Sequence, residues 1–195
     1  MLKKVVEQFD EWTLLPVDIS DIRDAILEMG LQEKIVFSAQ PIDSKELRGA
    51  YYRFKARDGV YGNVERVSLI VYSQRQELYW QRVVCCKEAM HIFDSVASST
   101  NTPEELVALA EQLMGPVTTE AHGLAEVMAA TDRLALYQAI CILFPDAARD
   151  VAREAIATGT KTVEQVSDWA QLPIDLARLV LSDQWPEIRE IILDC

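Results

Sequence analysis

The sequence predicts a mainly helical α+β fold, and three observations point to it. Apolar residues recur at helical spacing along most of the chain, the stretch 50–72 alternates instead with the period of a β-hairpin, and glycine and proline stand where one pattern gives way to the next. With 195 residues, half of them apolar, the chain can bury a sizeable core. Residues 1–145 read as an α+β domain and 146–195 as a helical subdomain packed on it, the two together able to form a single globular unit.

In chain order, residues 3–12 predict a short amphipathic helix with Val5, Phe9 and Trp12 on one side, broken by Pro16. Asp18 or Ser20 can cap a second helix carrying Ile19, Ile22, Ile26 and Met29, which ends at Gly30. A strand follows around Ile35-Val36-Phe37. In Ala50–Ala56, Tyr52 and Phe54 fall on one face and Arg53 and Lys55 on the other. Asp58-Gly59 and Gly62-Asn63 supply turn chemistry, and Val67–Tyr72 returns as a more buried strand, completing a small antiparallel sheet.

A central helix is expected from about Arg75 to Ala97, with Trp80, Val83, Val84 and Met90 among its apolar positions. Thr102-Pro103 opens another, with Leu106, Leu109, Ala110 and Leu113 as its buried face and Gly115-Pro116 as its end. A longer helical region carries Leu134, Tyr137, Cys141 and Phe144 and stops at Pro145. Four shorter helices follow at 146–157, 162–170, 173–182 and 186–193.

Charge and composition exclude several classes of function. Thirty-one acids against nineteen Lys and Arg leave a net charge of −12, which repels phosphate backbones, and no basic patch offsets it. The pieces Thr162–Ala170 and Pro173–Leu181 have helix-turn-helix proportions, but the second offers only Arg178, beside Asp175 and Asp183. Packing is the expected role of that pair. No apolar run approaches the roughly 18 residues of a membrane span, and Glu7, Asp10 and Glu11 interrupt the start before a signal-peptide core accumulates. A cytoplasmic protein is expected. The four cysteines, Cys85, Cys86, Cys141 and Cys195, form no CxxC pair and read as small buried hydrophobes.

The segment Lys87-Glu88-Ala89-Met90-His91 has the spacing of the zinc-peptidase signature His-Glu-x-x-His, with lysine at the first position. In that signature two imidazoles four residues apart hold the metal, and the glutamate polarises its water as general base. Glu88 and His91 stand at the base and second-ligand positions. Lys87 is the departure: a protonated amine has three donors and no lone pair.

The order of elements over roughly residues 14–182 resembles that of the ImmA/IrrE-like metallopeptidases, zincin-type proteins often associated with phage and mobile elements. The segments that carry the resemblance are Leu15–Leu31, the hairpin ending Leu69-Ile70-Val71-Tyr72, the central helix, Ile140–Pro145 and Val163–Leu181. The resemblance implies a third metal ligand, a glutamate about three turns before Pro145. Counting back reaches Leu134, with Asp132 the nearest acid. Two of the three metal positions, Lys87 and Leu134, thus lack a ligand.

A catalytically degenerate relative that binds or regulates another protein is the leading expectation, with no metal or other cofactor and with Glu88 as a vestigial general base. The Lys87 ammonium would then fill the metal's place beside Glu88 or Asp132, or else point to solvent. A zinc-dependent peptidase using Glu88, His91 and a further ligand such as Asp94, Asp132 or His122 is the alternative. A third reading is an assembly homodimer through Leu179, Ile188, Ile191 and Ile192. Neither nucleic acid nor membrane is expected as a partner.

Overall fold

Three strands, β1 (Glu33–Gln40), β2 (Gly49–Arg57) and β3 (Val64–Ser73), form a sheet in the order β1-β3-β2. The expected hairpin is present, with β2 antiparallel to β3 and Tyr51 opposite Ile70. The preceding strand departs from the all-antiparallel expectation: β1 runs parallel to β3, with Ile35 opposite Ser68. The sheet is therefore mixed. The most apolar of the three strands, β3, takes the centre, where both of its edges are paired.

The computed structural model describes residues 1–57, 62–94 and 121–194, the stretch 121–130 by its backbone alone. Eight α-helices lie among the described residues: α1 (Leu2–Phe9), α2 (Ile19–Glu28), α3 (Leu78–Met90), α4 (Ala121–Leu143), α5 (Asp146–Ala157), α6 (Val163–Ala170), α7 (Ile174–Leu181) and α8 (Trp185–Asp194). A 3-10 turn, His91–Phe93, continues α3. The Asp58-Gly59 turn, the helix expected from Thr102 to Gly115-Pro116, and Cys195 lie outside the described residues. No described helix is long and apolar enough to cross a membrane.

The central helix packs against β2 and β3 on one side and α4 on the other. Seven of its residues are buried: Val83 to Cys86 and Glu88 to Met90. Such a helix shows little amphipathic periodicity because it has almost no solvent face. The covered face of the sheet carries Ile35, Tyr51, Ser68 and Ile70. Phe54, which shares the opposite face with Tyr52, is 44 % exposed, so the apolar pair read at Tyr52 and Phe54 is not the one that meets the helix. Gly49 makes the close approach possible, since a β-carbon there would lie 2.3 Å from Val84 Cγ1.

The core is continuous. Val5 and Phe9 of α1, Ile22 and Ile26 of α2, Ile140 to Phe144 around the end of α4, and Val166, Leu172, Val180 and Trp185 of the C-terminal region belong to one buried cluster. Residues 146–194 thus share their core with the rest of the described residues. Their helices are tied by arginines: Arg149 donates to the carbonyls of Val180 (2.7 Å) and Ser182 (2.9 Å), and Arg153 to that of Leu181 (2.9 Å). These bonds satisfy carbonyls that the end of α7 leaves free.

Candidate functional site

Lys87 and His91, four residues apart, stand on one side of the C-terminal end of α3, as the one-turn spacing requires. From α4 comes Asp132, whose carboxylate is hydrogen-bonded to the Lys87 ammonium. The same Nζ lies 3.0 Å from Glu88 Oε1. His91 Nδ1 meets Asp94 Oδ2 at 2.7 Å, and its Nε2 stands 3.9 Å from Asp132 Oδ1, an electrostatic contact too long for a hydrogen bond. Five of the residues singled out in the sequence are thus brought together.

Burial grades across the cluster. The Glu88 side chain is 6 % exposed and reaches toward Gly49 of β2, Lys87 is 16 % exposed, and Asp132 is 56 % exposed. Glu88 forms the floor, Lys87 the middle and Asp132 the rim.

The charges reinforce one another. Burial alone would pull Lys87 below the ordinary lysine range, but Glu88 and Asp132 outweigh it and the net shift is upward. Burial likewise disfavours the charged form of His91, and Asp132, Asp94 and Glu88 reverse that effect, raising its pKa to about 9. Asp132 is drawn down to about 2, first by the His91 ring, against burial, and then by Lys87. At neutral pH Lys87 and His91 are therefore both cations facing three carboxylates. An imidazolium has no free lone pair, so in this state both ring nitrogens of His91 are hydrogen-bond donors.

As arranged, these residues do not fit a zinc ion. The ammonium sits between Glu88 and Asp132, and it would repel a divalent cation placed there. Leu134 lies two residues past Asp132, about 200° round the helix, and is half-buried. The acid that reaches the site is Asp132, and counting back from Pro145 missed it by half a turn. His122 falls in the first turn of α4, about 15 Å along the axis from Asp132, and its side chain lies outside the described residues.

The three described cysteines are held toward the thiol form. Burial pushes the Cys85 and Cys141 thiols up to about 12, and the fully buried Cys86 thiol also rises. Cys86 contacts the Ala139 carbonyl at 3.7 Å.

Sequence reasoning missed a buried polar chain behind the cluster. Ser68 Oγ donates to Glu33 Oε2 (2.7 Å) and stands 3.2 Å from the Tyr51 hydroxyl. Arg53 Nη2 donates to Glu33 Oε1 (3.3 Å) and to the Ile92 carbonyl (2.5 Å). One signal was available: Glu33 is in phase with Ile35 on β1, and an acid on a buried strand face needs a cation or donors.

No protein-family model matches this sequence, and no curated protein is similar to it.

Proposed function

We propose that this chain is a catalytically silent protein that works by binding another protein, on a scaffold like that of the zincin-type peptidases. Lys87 serves as a built-in cation where such an enzyme would carry its metal. The observation that supports this reading is the position of the Lys87 ammonium, in contact with both Glu88 and Asp132. A glutamate buried as deeply as Glu88 needs a positive neighbour, and the neighbour here is covalently part of the chain. One oxygen of that carboxylate is already engaged by a permanent donor.

Elemental analysis of protein purified without added metal tests the reading directly. Far less than one zinc per chain is expected, together with no peptidase activity on unfolded protein substrates. Stoichiometric zinc, held through His91 and nearby carboxylates, would overturn it in favour of an atypical peptidase. The binding role is tested by capture from the native host, with Asp132→Lys as the control that reverses the charge at the rim. A partner retained equally by both forms binds elsewhere.

A further inference from the structure

The ordered end of α3 depends on a contact that the cluster itself does not contain. Helical spacing continues past Met90, yet the α-helix stops there, and by Asp94 the backbone is extended (φ −65°, ψ 150°). The last carbonyls of a helix either accept the amide four residues on or need another donor. The Ile92 carbonyl accepts from Arg53, reaching from β2. A guanidinium at this point also suits the negative end of the helix dipole.

Arg53 is held for this task. Its side chain is 15 % exposed, and the same Nη2 that caps Ile92 also donates to Glu33, whose side chain is 1 % exposed. The second oxygen of Glu33 is taken by Ser68, which Tyr51 supports in turn. All three strands therefore contribute to fixing one nitrogen atom. A buried ion pair is by itself weak evidence for stability, since apolar residues of similar volume often serve as well. A carbonyl at a helix end, in contrast, cannot be satisfied by an apolar side chain.

We propose that Arg53 is a positioning residue for the cluster. By capping Ile92 from the sheet it fixes where α3 ends, and so where the His91 ring and the Asp94 carboxylate meet. This role concerns the geometry of the cluster and stands whether or not the cluster binds a partner.

Nuclear magnetic resonance of the His91 Nδ1 proton, held to Asp94, reads this geometry directly. Arg53→Lys keeps the charge opposite Glu33, but its ammonium is one atom shorter and falls short of Ile92. Exchange of the His91 Nδ1 proton with solvent is expected to speed up by about tenfold or more, as the turn opens locally, while the amides of β3 keep their protection. Glu33→Gln is the companion variant. It weakens the ion pair but leaves Arg53 an acceptor and Ile92 its cap, so near-native exchange at His91 is expected even where the melting temperature drops. Unchanged exchange in Arg53→Lys, or equal acceleration in both variants, would overturn the proposal. Should Arg53→Lys not fold, the double variant Glu33→Leu with Arg53→Met, which removes both charges of this pair, is read against the same outcomes.

Discussion

Lys87 carries opposite consequences for chemistry and for stability. Its ammonium stands where it would oppose a divalent cation, and it also pairs with Glu88, an acid with almost no access to water. Lys87→Ala should therefore cost about 2–4 kcal/mol, chiefly by leaving a buried carboxylate uncompensated, and thermal denaturation would show it. Adding Glu88→Gln to that variant should restore part of the loss, because the stranded charge is gone. A Lys87→Ala protein that melts with the wild type would mean that Glu88 finds its compensation elsewhere.

His91 makes the cluster sensitive to alkali. Its pKa in the folded protein, about 9, exceeds the ordinary 6.5, so its contribution is complete below about pH 6.5 and is lost as pH rises through 9. Asp132 works in the other direction, contributing above the usual carboxylate range and losing its effect as pH falls toward 2. Melting temperatures measured from pH 6 to 10 should decline, and the decline should be shallower in His91→Gln. Equal slopes in the two proteins would show that His91 is not held as a cation.

Among the elements, the contact of α3 with the sheet is the tightest constraint. A methyl group at position 49 would lie 2.3 Å from Val84 Cγ1 and 3.2 Å from Glu88 Oε1. Gly49→Ala must push α3 away from β2, at a cost of about 1–3 kcal/mol, and the displacement would fall on Glu88. A Gly49→Ala protein of wild-type stability would show that the helix can shift freely. Most helices were legible at this scale because their caps and breaks are local: α6 begins with Thr162 and Gln165 capping each other, and it ends at Gln171, in the left-handed region at φ 50°. The strands were legible too, but their faces were not. Tyr52 and Phe54 alternate as well as Tyr51 and Arg53 do, and only the helix that covers one face distinguishes them. The end of α3 was misjudged for a related reason, since Arg53, which meets Ile92, is remote from it in sequence.

At the scale of the whole molecule, the C-terminal helices are structural partners of the first ones. Trp185 is fully buried within the common core, and Arg189 pairs with Asp10 after α1 and with Asp146 of α5. Leu179 and Ile188 pack on that core and Ile192 is buried, while Ile191 is 60 % exposed. Much of the apolar surface that suggested a dimer is therefore used within the chain. Removal of residues 183–195 should destabilise the whole protein, with hydrogen exchange accelerated in α1 and α4 as well as in α7. Exchange confined to α7 would mean that the C-terminal region folds by itself.

The sequence alone determined the helical α+β class, the hairpin, most helix boundaries and the suspicion attached to Lys87, Glu88 and His91. Each of these is written in neighbouring residues, through periodicity, capping or one-turn spacing. Tertiary structure alone decided that β1 runs parallel to β3, that the Lys87 ammonium turns to Glu88 and Asp132 together and not to solvent, and that Arg53 stands behind the histidine. Those outcomes depend on which faces remote segments turn to one another, and a step of two residues along a helix is enough to exchange one face for the other.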